Sequence, residues 1–388
     1  MRRRFLSLLL CVTMVMAMVM GCGKKDGGTA QPTTPPNETG TDGTVEPTAV
    51  PVAKTYKLKV SSIVAGIHCV PIYIAEEKGW FKDAGLDIER TMFSGGPVQV
   101  EAVASDSWDI GTTGIGGVLA GTIGQDVKVL AGCSGDVGTQ YLFARKDSPI
   151  VAAGQGKNTV SDQIYGDAAS WKNAEVLCSS GTALHITLAK TLAGFGLTTD
   201  DIKFTVMDAP SANTAFLAGE GDVAAVWAAM SFSDDKKDYV AVSNGTLAQT
   251  GISTNIIANP RSYADPEKRE AMKIFLKVYM DTVAWMQENK DEAADYLFAF
   301  FEDDGAFITE DLADTLLATD PWFGLEGNHD VMNTKSPDGD YSVMEAGLLD
   351  TLNFFIATGN YKEGSQDKLL DNKVDPTLIN EIYEEANK

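Results

Sequence analysis

From Tyr56 onward, short apolar runs alternate with longer stretches whose apolar positions recur at helical spacing. Lys57-Leu58-Lys59-Val60 alternates and predicts a first strand, and residues 70–78 predict a helix closed by Gly79. Leu86-Asp87-Ile88-Glu89 predicts a second strand, followed by a helix over 98–104. Trp108-Asp109-Ile110 is a short strand ending in Gly111-Thr112-Thr113-Gly114, and residues 116–121 begin another helix. Residues 127–131 and 140–144 are strands. A second series starts at Ala174-Glu175-Val176-Leu177-Cys178, turns at Ser179-Ser180-Gly181-Thr182, and enters a helix carrying Leu184, Leu188, Leu192 and Phe195. Residues 204–207 and 223–227 are its further strands, with a helix over 211–218 between them. Residues 253–258 predict a strand returning to the first series. A long helix over 267–289 and a mostly helical remainder, 291–388, follow. This order implies an α/β fold in two lobes, each with a mainly parallel sheet. Residues 154–169 are expected to loop between the lobes, and Gly154-Gln155-Gly156 lacks the spacing of a dinucleotide-binding turn.

The pattern ahead of Tyr56 is different. Arg2-Arg3-Arg4 precedes an apolar run, residues 5–20, broken by Ser7 and Thr13 and followed by Gly21 and Cys22. A basic start, an apolar stretch and a small residue predict a secretory signal peptide over 1–21. The run is short for a membrane span. Val19-Met20-Gly21-Cys22 resembles the lipobox of bacterial lipoproteins, although Leu is commoner where Val19 stands and a smaller residue where Met20 stands. That resemblance implies cleavage before Cys22 and acylation of its thiol, with palmitate among the acyl groups expected. Residues 22–54 are rich in Gly, Thr and Pro without apolar periodicity, so they are expected to be a flexible tether.

Composition narrows the function. The chain has 388 residues and 44% hydrophobic content, enough for two packed lobes. Its formal net charge of −23 becomes more negative once Arg2, Arg3 and Arg4 leave. Such a charge disfavours nucleic acid and anionic lipid as partners. Cys69, Cys133 and Cys178 remain after the leader and Cys22 are set aside; they are expected to be buried free thiols, with a Cys69–Cys133 disulfide left open. His68, His185 and His329 are far apart in sequence and form no evident metal set, so no metal or cofactor is expected. No nucleophile elbow, zinc helix or phosphate-binding Gly-Lys loop occurs.

Four blocks then carry a resemblance. Residues 71–88, Pro71-Ile72-Tyr73-Ile74-Ala75-Glu76-Glu77-Lys78-Gly79-Trp80-Phe81 and onward to Asp87-Ile88, resemble the opening of binding proteins for nitrate, sulfonate, taurine and thiamine-precursor ABC importers. Trp108-Asp109-Ile110-Gly111, Gly181-Thr182-Ala183-Leu184-His185 and residues 215–227 resemble three further blocks of that family, in the same order. The resemblance covers roughly residues 56–300. It implies a two-lobed periplasmic-binding-protein-like fold (type II) with the ligand in the cleft. The corresponding boundaries are 55–147 for the first part of lobe 1, 148–252 for lobe 2, and 253–388 for the return and C-terminal helices. Hinges are expected near 146–151 and 251–255.

Ligands of such sheets sit beyond the carboxyl ends of the strands, where loops turn into helices. The expected ligand-binding residues are therefore Ile67, His68, Ser94, Gly95, Thr112, Thr113, Gly114, Ser180, Gly181, Thr182, Asp208 and Trp227. The function expected is an extracytoplasmic, lipid-anchored, monomeric solute receptor. It would deliver a small organic or anionic solute to an ABC permease and its ATPase. A ligand-binding sensor is the alternative. An enzyme related to thiamine-pyrimidine synthases is disfavoured, because that family needs a Cys-rich iron-binding stretch absent here.

Overall fold

A computed structural model of the chain describes residues 54–388 apart from 137, 228–237, 307, 320 and 338. The expected signal peptide, Cys22 and the tether lie outside the described residues.

The first lobe is built on β1 (Tyr56–Ile63), β2 (Leu86–Phe93), β3 (Ile110–Thr113) and β4 (Lys128–Gly135), completed by β10 (Ser253–Ala258), in the order β2-β1-β3-β10-β4. β1 runs parallel to β2 and β3, and β10 runs antiparallel to both β3 and β4. The alternation seen in sequence is the reason β1 starts as a one-sided strand: Leu58 and Val60 are buried while Lys57 and Lys59 are exposed. The second lobe holds β5 (Gln140–Arg145), β6 (Glu175–Cys178), β7 (Lys203–Val206), β8 (Val223–Trp227) and β9 (Tyr239–Asn244), in the order β7-β6-β8-β5-β9. Here β6 is parallel to β7 and β8, and β5 is antiparallel to β8 and β9. The two sheets thus share one plan. Each is parallel except for a single antiparallel strand that the chain lays down as it crosses between lobes.

That plan corrects the expected boundary. β5 belongs to the second sheet, where Gln140 pairs with Trp227 and Ala144 with Val223. The first crossing therefore lies between Gly135 and Gln140, not at 146–151. Lys146 donates its amide to Asp238 O at 2.9 Å, continuing the β5–β9 ladder, and Ser148 caps the helix Pro149–Ala152. Alternation identifies a strand but carries no information about which sheet it joins. The second crossing lies between Asn244 and Ser253, overlapping the expected 251–255. The crossings are tied to each other, since Asp136 N donates to Ile252 O at 2.8 Å. The 154–169 loop sits on the second lobe rather than between lobes: Tyr165 N donates to Val242 O at 3.0 Å, and Trp171 Nε1 donates to Tyr165 O at 3.0 Å.

Helices connect the strands. They include α1 (Val70–Glu77), α2 (Trp80–Asp83), α3 (Gly96–Glu101) and α4 (Ile115–Gly124) in the first lobe. The second lobe has α5 (Pro149–Ala152), α6 (Ala168–Trp171), α7 (Ala183–Ala193) and α8 (Ala209–Leu217). Gly79 ends α1 at φ 77°, a left-handed conformation suited to glycine. The C-terminal helices brace the first lobe and reach the second. In Pro266–Glu288, Phe275 stacks on Phe81 with ring centroids 5.5 Å apart, and Tyr279 donates its hydroxyl to His68 O at 2.9 Å. Val343–Ala357 starts with a capping box between Ser342 and Glu345 and buries Phe355 against His185. Among the described residues, no helix is long and apolar enough to cross a membrane.

Candidate functional site

The carboxyl ends of the parallel strands in both lobes open onto one cavity. The first lobe contributes Ile63, Gly66, Ile67 and His68 after β1, Ser94, Gly95, Gly96 and Pro97 after β2, Gly114, Ile115, Gly116 and Gly117 after β3, and Asp136 after β4. The second lobe contributes Thr139 ahead of β5, Ser179, Thr182 and Ala183 after β6, Ala209 after β7, and Trp227 at the end of β8. The cavity is small, about 40 Å³, room for roughly three water molecules at ~10–15 Å³ each. Two wider clefts, of about 320 and 510 Å³, lie against the C-terminal helices. Neither gathers strand ends from both lobes, so the small cavity is the candidate site.

Glycines let its walls approach. A Cβ on Gly117 would lie 2.0 Å from Thr113 Oγ1, and one on Gly96 would lie 2.5 Å from Gly117 N. The starts of α3 and α4 therefore pack backbone to backbone. Gly116 does the same between lobes, because its Cβ would lie 2.6 Å from Gly181 O. The lobes meet at this point. Neither Gly114 before α4 nor Thr182 before α7 gives a side-chain cap to its helix. Gly117 N of α4 bonds to Gly114 O at 3.0 Å, while the leading amides of both helices have no side-chain cap, and each start carries roughly half a positive charge.

Three side chains give the cavity its chemistry. His68 is 6% exposed, and its Nε2 is buried with no hydrogen-bond partner among the described residues. Burial lowers its pKa to about 4, against an opposing pull from Asp136, so the ring is neutral at pH 7. Trp227 Nε1 is likewise buried without a partner among the described residues. Asp136 is buried; its Oδ1 accepts from Thr139 Oγ1 at 2.5 Å and from Gln140 Nε2. None of the described residues lining the cavity is Lys or Arg.

Of the residues expected from sequence, Ile67, His68, Ser94, Gly95, Gly114, Thr182 and Trp227 line this cavity. The others do not. Thr112 is fully buried behind the wall, its Oγ1 3.2 Å from Cys69 Sγ. Thr113 is also fully buried, and its hydroxyl points to the glycines of α3 and α4. Ser180 Oγ accepts from Asn360 Nδ2 at 3.0 Å, and Gly181 donates its amide to His185 Nδ1 at 3.3 Å. Gly181 has φ 69°, a Cβ there would meet nothing within 4 Å, and it is not among the residues lining the cavity. Asp208 caps α8, accepting from Ser211 N at 2.8 Å. Its neighbour Ala209 lines the wall instead.

Asp136 and Thr139 were missed. The signal for Asp136 was available, because β4 runs to Gly135 and not to Ala131. Continuing the strand through Gly132-Cys133-Ser134-Gly135 puts Asp136 at a strand end like the others. Cys69, Cys133 and Cys178 are free and buried, and burial raises each thiol pKa, leaving them inert. Among the described residues, no group of three or more His, Cys, Asp or Glu is placed to hold a metal ion.

Two α/β lobes closing on a cavity at their strand ends define a two-lobed binding protein. Residues 53–298 match the model of the NMT1-like family, and the chain belongs to that family. A protein of Brachyspira hyodysenteriae named as an ABC transporter periplasmic binding protein is 24% identical over 325 residues, covering 83% of this chain and 88% of that one. A Bacillus subtilis protein named as an aliphatic sulfonates-binding protein is 25% identical over 231 residues, 58% of this chain and 64% of its own. The fold is that of the alkanesulfonate-binding protein SsuA from Xanthomonas axonopodis pv. citri, bound to MOPS (TM-score 0.61, 16% identity, 80% of this chain and 96% of that one). It is equally that of the nitrate-binding protein NrtA from Synechocystis PCC 6803 (TM-score 0.60, 15% identity, 85% and 89%).

Proposed function

We propose that this chain is the extracytoplasmic solute receptor of an ABC importer, held to the membrane by a lipid on Cys22 and handing its solute to a permease. The observation that carries the reading is the cavity shared by both lobes, lined by two side chains, His68 and Trp227, whose buried ring nitrogens Nε2 and Nε1 have no hydrogen-bond partner among the described residues. Unmet buried polar groups cost about 1–3 kcal/mol each, and a bound solute relieves that cost. The relatives named as an ABC transporter periplasmic binding protein and a sulfonate-binding protein support the same role. The leader and lipobox-like residues 19–22 support the anchor.

A thermal-shift screen of the full chain against sulfonates, pyrimidines, amino acids and vitamins tests the reading. A true solute at 100 times its Kd stabilises the folded state by about 2.7 kcal/mol. A screen in which no class of solute raises the melting temperature contradicts it. For the anchor, radiolabelled fatty acid should mark the wild-type chain and not Cys22→Ala; an unmarked wild type sinks that part alone.

A further inference from the structure

Beside the solute cavity lies the cleft of about 320 Å³ between the first sheet and the helix Val343–Ala357. The helix supplies the stripe Val343, Met344, Gly347, Leu348 and Thr351, which the helical repeat sets on one face. The opposite wall comes from β4, β10 and the second crossing, at Gly132, Gly135 and Ile252. Among the described residues, Ile115 at the start of α4 is the one that lines both this cleft and the solute cavity. The wall residues from 321 to 351 lie beyond the 53–298 that match the family model.

The chemistry of this cleft differs from that of the solute cavity. None of its described lining residues is charged. Two carry hydroxyls, Ser253 and Thr351, and Thr351 Oγ1 donates to Gly347 O of its own helix at 3.0 Å. The backbone of the strand wall is engaged as well. Asn328 accepts from Gly132 N at 2.6 Å and donates to Gly132 O at 3.0 Å, and Gly135 N donates to Pro321 O at 2.8 Å. Water needs several polar partners to settle in a cavity, and this wall offers few. Apolar surface is instead removed from water by an apolar occupant.

Gly347 adds a second observation. After proline, glycine is the least favourable residue in a helix interior, and Gly347 lies inside Val343–Ala357. A Cβ there would meet nothing within 4 Å, and the backbone is not in the positive-φ region. Neither crowding nor conformation requires glycine at this position. Its effect is to leave space in the middle of the stripe that faces the cleft. We infer that this cleft is a second ligand site, distinct from the solute cavity, and that its occupant is an uncharged apolar molecule of about two fused rings. Cavities of about 150 Å³ take benzene, and this one is about twice as large. Val343, 40% exposed, offers such a molecule an apolar entrance.

The test is calorimetry on the full chain with 2-naphthol, uncharged at neutral pH, as the probe. The expected result is that 2-naphthol binds the unaltered chain and that Gly347→Leu weakens it at least tenfold. The same variant should raise the melting temperature, because leucine favours the helix and occupies the open space. Should Gly347→Leu fail to fold, Val343→Glu, a change at an exposed position that brings a charge to the cleft, should weaken the probe by the same factor. Absence of binding to the unaltered chain overturns the inference. So does binding that neither variant weakens, which places the probe elsewhere, the solute cavity included. A dimer of the unaltered chain that Gly347→Leu dissociates, seen by sedimentation, assigns the cleft to a second copy and overturns the inference as well.

Discussion

Two corners of the molecule look alike in sequence and behave differently in the fold. Thr112-Thr113-Gly114 joins β3 to α4, and Ser180-Gly181-Thr182 joins β6 to α7; each is a small-residue turn from a parallel strand into a helix. In the first corner both threonines are fully buried behind the wall, and the glycines face the cavity. In the second, Thr182 lines the cavity, while Gly181 sits in a left-handed conformation and lends its carbonyl to the contact with Gly116. The first corner is shaped by packing within its lobe, the second by packing between lobes. A hydroxyl at a strand end is thus no guide to ligand contact until its neighbours are known.

The largest effect should come from adding bulk inside the first corner. Gly117→Val puts a Cβ 2.0 Å from Thr113 Oγ1, and overpacking of this kind costs about 1–3 kcal/mol or more. Gly181→Ala meets nothing within 4 Å and should cost only the left-handed strain, about 1–2 kcal/mol. Thermal melts of the two variants measure the difference; equal losses would erase the distinction between the corners. Next comes Gly116→Ala, whose Cβ would lie 2.6 Å from Gly181 O across the interlobe contact. It should hold the lobes apart, weakening a confirmed solute about tenfold, roughly 1.4 kcal/mol, with little change in the melting of the free protein. Small-angle scattering with saturating solute should then show a larger radius of gyration than the wild type does. An equal radius would show that this contact does not govern closure.

A smaller effect concerns pH. His68 and His185 both have pKa values lowered to about 4 by burial, against 6.5 for the free side chain. The unfolded chain therefore binds more protons between these values, so their contribution is full above pH 6.5 and falls as pH drops toward about 4. Urea melts at pH 7 and pH 5 should show lower stability at pH 5, and His185→Gln should reduce the difference. A wild type equally stable at both would contradict the neutral, buried rings. Smallest is Thr113→Val. Its hydroxyl is buried without a partner among the described residues and lies off the cavity. Melting temperature should hold or rise slightly, and solute affinity should not change; a loss of affinity measured by calorimetry would return Thr113 to the site.

Much of this was legible in the chain itself. Period-two runs such as Lys57-Leu58-Lys59-Val60 and the helical spacing of Leu184, Leu188 and Leu192 are local properties, since alternation and amphipathic faces arise from backbone geometry. Their order gave two α/β lobes, and the strand-end rule gave His68, Gly114, Thr182 and Trp227 as cavity-lining positions. The limits lie where neighbours distant in sequence decide. β5 has a clear strand pattern, yet its sheet was settled by Gln140 pairing with Trp227, 87 positions onward. Asp208 looked like a strand-end ligand until Ser211 N took its carboxylate as a helix cap.

What the sequence determined by itself is therefore the element types, their alternation and the ends at which a site forms, because each follows from interactions within a few residues. The tertiary structure alone decided which side chains at those ends face inward. Gly96 and Gly117 draw two helix starts together and leave no room for Thr113 to turn outward. The ladder of β4 carries on to Gly135 and delivers Asp136 to the cavity. The contact of Gly116 with Gly181 O closes one lobe on the other. Close packing is a property of pairs of surfaces, and neither surface specifies it until the other is in place.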